Sequence, residues 1–584
     1  MTRFAGHIRF DGGVPDADAL RRMMAFETAL GMALTAYSDP KSGIRVVQSG
    51  ESGPREQELG TRLITTAPAE RAGGTLWSPD LAGTPGLAES FLAAQSHGFA
   101  CMFLDHAHGC VNLAVDHFAT DTLFYHLGED GLIFATDFER LLAHPEVPVK
   151  ARPQDIAWKS AMRMDAAGDR TWFAGIRCVR PGRIVRIPIT GGSATEVTYW
   201  RPPAASTFDP QDGEAAAHAR IRAAFDVAVD RRIPPDNRAA VMLSGGFDSS
   251  VVAAACKARG MTLDLYHVVY DGADAEQNGD LDYARIMADA LNRPLTVLTV
   301  DLPTMLETLN DLVTALGRPL VHGAEFGMWL FYRRVAAEGG RVVFAGHASD
   351  SIWGGQEGDY PTINNVDFTA ECHNPQYLAQ KLYQNEQPFW HDFLAQKLYP
   401  GLGVTPRQVA ALIWEHGFHD YREFRTEEPA KKGRVHQLAG ISNYIGQMTA
   451  AMAGRFGLHE EKVFLDRAFV ELAFGFPMHF LNHAGPFTDK PLLKAALRDL
   501  VPEPIVTRRK VGFQPPRDST LLTDYRAYLA RTGLPDGIAL SRAEIEALPM
   551  TTVLYLDSLR RWQRIFIKDR TDEGYLRTAV PHLQ

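Results

Sequence analysis

The residues with the most chemistry to offer lie in the string Ser244-Gly245-Gly246-Phe247-Asp248-Ser249. Glycines let a backbone come close to a ligand's oxygens, the hydroxyls of Ser244 and Ser249 add donors, and Asp248 can hold a divalent cation. Such a set suits a polyphosphate. It is not the Walker loop, because no Gly-Lys-Ser/Thr follows. The flanking sequence supplies the elements that must position it. Ala239 to Leu243 is an apolar run of one buried strand's length, and Ser249 to Arg259 reads as a helix stopped by Gly260. A strand turning through glycine into a helix N-terminus offers an anion free N–H groups and the positive end of a dipole.

Further along, strands are predicted at Thr262 to Tyr270, Leu295 to Asp301 and Arg341 to Ala345. Helices are predicted between them at Leu281 to Leu291, Pro303 to Leu316 and Gly323 to Glu338. This alternation implies a doubly wound parallel sheet, whose ligands sit beyond the strand C-termini. Ahead of it, Glu214 to Arg232 reads as an amphipathic helix, and the Pro-rich stretch Pro202 to Pro210 as a linker. Residues 1–205 are different. Short strands with close turns (Phe4 to Phe10, Gly98 to Leu104, Gly109 to Val115, Leu123 to Tyr125, Gly131 to Ala135) suggest a β-sandwich. Residues 361–584 read as mostly helical.

Bulk properties narrow the class. A chain of 584 residues exceeds a single core. A net charge of −10 gives no electrostatic support to a nucleic-acid partner. Five scattered cysteines read as reduced thiols, and no apolar run reaches membrane-spanning length, so a cytoplasmic protein without membrane contact is expected.

The Ser-Gly-Gly-Phe-Asp-Ser string resembles the pyrophosphate loop of ATP pyrophosphatases. Gly346-His347-Ala348-Ser349-Asp350-Ser351-Ile352-Trp353-Gly354-Gly355 resembles a second element of asparagine synthetase-like enzymes, and Arg508-Arg509-Lys510-Val511-Gly512-Phe513 a third. The resemblance implies ATP as substrate and Mg²⁺ held by Asp248 and Asp350, two hard oxygen donors. It also implies a pyrophosphate site at Ser244, Gly245, Gly246 and Ser249, and a nucleoside pocket near His267, Val268 and Gly346. Lys510 matches the lysine that contacts the α-phosphate and pyrophosphate. His347 departs from the pattern, standing where these synthetases have glutamate and β-lactam-forming relatives tyrosine. An imidazole there could accept a proton from an attacking amine near neutral pH.

In the N-terminal part, Val111 to Tyr125 with Gly131 to Pro145 resembles the amidotransferase half of the glutamine-dependent enzymes, an Ntn-type sandwich. Its glutaminase chemistry needs an N-terminal cysteine, and position 2 is Thr2. The Arg-Gly-Pro-Asp and Asn-Gly-Glu-Ile-Tyr-Asn strings are also missing, so a degenerate, scaffolding domain is expected over 1–205. The synthetase domain is expected over 211–584, with a nucleotide core at 211–360 and a helical lobe at 361–584. Asn443 to Met452 and Phe464 to Ala473 resemble the acceptor side, with the usual Glu-Ala-Arg-Val-Pro-Phe-Leu-Asp altered ahead of Asp466. An ATP-dependent ligase whose attacking amine arrives with its substrate looks like a lasso peptide cyclase. That implies a precursor peptide as substrate and a leader-cleaving protease as partner. A β-lactam synthetase, an ammonia-dependent asparagine synthetase and a silent nucleotide-binding scaffold are the alternatives.

Overall fold

The computed structural model describes residues 3–25, 28, 32–39, 42–50, 56–58, 63–66, 86–162, 168–271, 279–354, 388–481, 489–508 and 520–568. Two sheets build the N-terminal part. The first contains β1 (Phe4–Arg9), β2 (Ala33–Asp39), β3 (Ile44–Gly50), β4 (Glu56–Glu58), β8 (Phe124–Leu127), β9 (Gly131–Ala135) and β10 (Ile176–Cys178), in the order β10-β8-β9-β1-β3-β2-β4. The second contains β5 (Leu63–Thr65), β6 (Ala100–Asp105), β7 (Cys110–Val115), β11 (Arg183–Pro188) and β12 (Thr195–Thr198), in the order β12-β11-β7-β6-β5. Period-two alternation decides which side chains face which layer. Phe4, Ile8, Val46 and Phe134 of the first sheet meet Met102, Leu104, Leu113 and Val185 of the second in one buried cluster, which makes the sandwich. On the outer face of the first sheet, Ala5, Val47 and Ile133 pack with helices α1 (Ala17–Met23) and α2 (Phe138–Leu142).

The third sheet is wholly parallel, in the order β15-β14-β13-β16-β17. Its chain order is β13 (Arg238–Met242), β14 (Thr262–Tyr270), β15 (Leu295–Val300), β16 (Val342–Ala345) and β17 (His459–Lys462). The helices between and around these strands are α3 (Gly213–Asp230), α4 (Phe247–Ala258), α5 (Gly279–Ala290), α6 (Leu302–Leu316), α7 (Ala324–Ala337) and α8 (Ser349–Trp353). After the excursion into the lobe come α9 (Asn443–Arg455), α10 (Arg467–Gly475) and α11 (Pro491–Leu497). From β13 the chain builds outward through β14 to β15, then returns to β13's other side with β16. The switch point is therefore between β13 and β16, and the crevice there opens at their C-terminal ends.

One expectation is corrected here. The lobe contributes a strand: β17 pairs in parallel with β16, Val343 beside Glu460 and Phe344 beside Glu461. A charged tetrapeptide, His-Glu-Glu-Lys, carries no apolar pattern from which a strand could be read. The stretch from Pro202 to Pro210 is irregular but pinned, since the N–H groups of Thr207 and Phe208 both donate to Gly475 O at 2.8 and 3.0 Å. Part of the core crosses the boundary near residue 205, while the sandwich keeps a cluster of its own. One buried cluster runs from Trp158, Trp172 and Phe173 to Leu312, Leu316, Tyr555 and Trp562.

Candidate active site

The glycine loop follows β13, and α4 starts at Phe247 with Gly246 as its N-cap and no side chain capping it. No capping side chain occupies the N–H groups at the helix start, as an anion site requires. Gly245 has φ +75°, and a Cβ there would fall 2.3 Å from Asp280 O, so only glycine fits. The loop holds itself together: Ser244 Oγ and Ser249 Oγ lie 3.0 Å apart, and Ser250 Oγ donates to Gly246 O at 2.8 Å. Beside it, the Arg508 guanidinium donates to Asp280 and lies 4.4 Å over the Tyr283 ring.

Past β16, Gly346 lets the second loop approach the first. A Cβ on Gly346 would sit 2.6 Å from Ser249 N and 2.9 Å from Asp248 Cβ. Two residues on, Ala348 takes the left-handed conformation at φ +72°, a strained backbone of the kind found at functional loops. The turn delivers Asp350 opposite Asp248. The Lys490 ammonium touches both, 2.7 Å from Asp248 Oδ2 and 2.6 Å from Asp350 Oδ1, with Asp489 Oδ1 at 3.6 Å. The lysine side chain is fully buried. Burial works to lower its pKa, but Asp248, Asp350 and Asp489 together hold it above the ordinary lysine value. Burial pushes the Asp489 carboxyl upward. Lys490 itself has φ +50° and opens α11 as its N-cap. The sequence places this residue at the head of a stretch, Lys490 to Arg498, close to the family pattern, but assigns it no role.

Asp248 Oδ1 is buried without a hydrogen-bond partner. That orphaned oxygen, next to carboxylates already converging on a cation, gives an oxygen-only donor set that fits a hard dication such as Mg²⁺.

His347 lies on the other side of Gly346. Its Nδ1 is 3.1 Å from Glu460 Oε1, on β17. The same oxygen accepts the Tyr332 hydroxyl at 3.1 Å, and Lys462 Nζ is 2.9 Å from Glu460 Oε2. Burial works to raise the Glu460 pKa, but Lys462 and His347 hold it well below the usual carboxylate range. Glu460 is thus an ionised partner for the histidine, and reading the sequence alone missed it because it sits in the unrecognised strand.

His267 is turned inward, with Nδ1 2.6 Å from Leu243 O, so its ring braces β14 against the end of β13. Burial lowers its pKa. Val268 is buried in the core. Lys510, Arg509 and Thr2 lie outside the described residues. The neighbour of Thr2 is informative. Arg3 N–H donates to Ser49 Oγ at 3.0 Å, and its guanidinium crosses to α9, donating to Ala450 O at 3.1 Å.

A profile of the family described as asparagine synthase matches residues 220–569, more than half of the chain. The chain belongs to the asparagine synthase family. It is 20% identical over 429 residues to "Asparagine synthetase [glutamine-hydrolyzing] 3" of Bacillus subtilis, covering 71% of this chain and 66% of that one. It is 29% identical over 195 residues to "Carboxyethyl-arginine beta-lactam-synthase" of Streptomyces clavuligerus, covering 33% of this chain and 35% of that one. The chain thus spans about two thirds or less of these relatives' lengths. Among solved structures, a glutamine phosphoribosylpyrophosphate amidotransferase from B. subtilis aligns over 51% of this chain and 81% of its own at 9% identity. Its TM-score of 0.22 is too low to bear on the fold.

Proposed function

We propose that the protein is an ATP-dependent ligase that activates a carboxylate as its acyl-adenylate and joins it to an amine, releasing AMP and pyrophosphate. The observation that carries this reading is a convergence at one crevice. An open helix N-terminus, two carboxylates sharing one ammonium, and a histidine backed by an ionised glutamate all meet there.

The loop from Ser244 to Ser249 receives the phosphates. Asp248 and Asp350 are the residues that would hold Mg²⁺, which neutralises charge on a triphosphate and on departing pyrophosphate. Lys510 is assigned a second positive charge on the α-phosphate, as the resemblance implies. His347 accepts the proton of the attacking amine, while Glu460 orients the ring and balances the imidazolium that forms.

For the substrate, we favour a ribosomal precursor peptide. Its Asp or Glu side chain is adenylated and its own N-terminal amine closes a macrolactam, with a leader-cleaving protease as partner in the cytoplasm. The missing Arg-Gly-Pro-Asp and Asn-Gly-Glu-Ile-Tyr-Asn strings, which would bind glutamine, support an amine that arrives with the substrate. A β-lactam synthetase is the second reading, favoured by the Streptomyces relative.

ATP–pyrophosphate exchange in the presence of linear core peptides tests the proposal. Exchange, AMP as product and a peptide lighter by one water are expected. ADP and phosphate as products would overturn the adenylation. Turnover of carboxyethyl-arginine but of no peptide would decide for the second reading.

A further inference from the structure

Away from the phosphate loop, a cluster on the N-terminal sandwich has the composition of a transition-metal centre. His7 on β1, His144 just past α2 and Glu146 each offer a donor atom, and the three donors lie within 4.8 Å of one another. Among the described residues this is the one group of its kind. Both imidazoles are about 1% exposed and meet edge to face with centroids 4.7 Å apart.

Strand alternation accounts for the burial of His7, which shares Ala5's face of β1 and so looks toward α1 and α2. It does not account for the chemistry. His7 Nδ1 and His144 Nε2 are buried without a hydrogen-bond partner, whereas buried polar side chains normally find one. His7 Nε2 is 3.8 Å from Glu146 Oε2, too far for a hydrogen bond. Burial lowers the pKa of both rings. The charged groups facing them are Glu146, Asp11 and Asp16 on the acidic side, with Arg9, Arg22 and His126 on the other.

We propose that His7, His144 and Glu146 form a binding site for a divalent ion of the Zn²⁺ class, with water completing the coordination. Two imidazoles and one carboxylate favour Zn²⁺, Co²⁺ or Ni²⁺ over Mg²⁺, whose preference is for oxygen alone. The open nitrogen of His144 is Nε2, because Nδ1 accepts the Glu146 N–H at 3.2 Å. Binding at Nε2 moves the ring proton to Nδ1 and gives up that hydrogen bond. The Glu146 side chain, 52% exposed, has room to bring its carboxylate onto the ion. The ion ties β1 to the segment after α2, so its role is to clamp the helical layer onto the first sheet and not to take part in ATP chemistry.

The test uses full-length protein stripped with EDTA, titrated with Zn²⁺ by calorimetry and with Co²⁺ by visible absorption, with Mg²⁺ as control. One Zn²⁺ per chain, binding more tightly than Mg²⁺ and raising the melting temperature, is expected. His144→Ala should abolish this event, and Glu146→Gln should weaken it on the order of tenfold. Absence of saturable Zn²⁺ binding in the parent protein overturns the proposal. So does unchanged stoichiometry and affinity in His144→Ala. Should that variant fail to fold, Glu146→Gln decides at an exposed position: an unaltered Co²⁺ spectrum and affinity would sink the assignment.

Discussion

Lys490 concentrates the electrostatics of the crevice in one side chain. Its ammonium is the counter-charge for Asp248, Asp350 and Asp489. Lys490→Met should leave these carboxylates repelling one another and cut ATP–pyrophosphate exchange by about a hundredfold or more. Initial-rate assays measure this directly. His347→Ala is expected to act later in the reaction: amide formation falls by about a hundredfold or more while exchange persists. The pair behind it also sets a pH dependence. Glu460's pKa in the folded state is depressed, so its contribution to stability is full above the ordinary glutamate value of about 4.5 and drains away as pH falls below that. Thermal melts of the parent protein and Glu460→Gln should therefore differ fully at neutral pH, the difference starting to shrink only below about pH 4.5 and closing as pH falls toward the depressed folded-state value.

Among the elements, the two loops that must touch depend on Gly346. Gly346→Ala places a methyl group 2.6 Å from Ser249 N, pushing the end of β16 away from α4. A loss of about 1–3 kcal/mol is expected, with a larger loss of nucleotide affinity, read by denaturant unfolding and by nucleotide binding. The same elements show what a sequence reveals. β14 falls at Thr262–Tyr270, as its apolar run predicts, and α4 ends at a left-handed Gly260. These are local signals of burial and capping, and they carry the Asp248 and Asp350 loops with them. The position of Glu460 is set by a parallel pairing across more than a hundred residues, and a short charged strand broadcasts nothing about its partner. The role of Lys490 escaped for a related reason, since two of its three acidic partners, Asp248 and Asp350, come from distant loops.

At the scale of the whole molecule, one buried cluster spans the division expected from the sequence. Trp562 donates Nε1–H to Gly317 O at 2.9 Å and packs 5.4 Å from Phe173, joining the C-terminal lobe, α6 and the sandwich. Trp562→Ala should cost about 3–5 kcal/mol. Calorimetry on the parent protein should give one cooperative transition, and residues 211–584 expressed alone should not fold stably. The return of the chain as β17 has a separate consequence. The chain leaves this sheet at Ala345 and re-enters it alongside, at His459. The sequence between Gly354 and Asn443, outside both active-site loops and α9, can lengthen, shrink or be rebuilt to accommodate a new acceptor, and the proton-handling pair stays in register with the phosphate site throughout. A lineage could thus change what it joins without relearning how to join it.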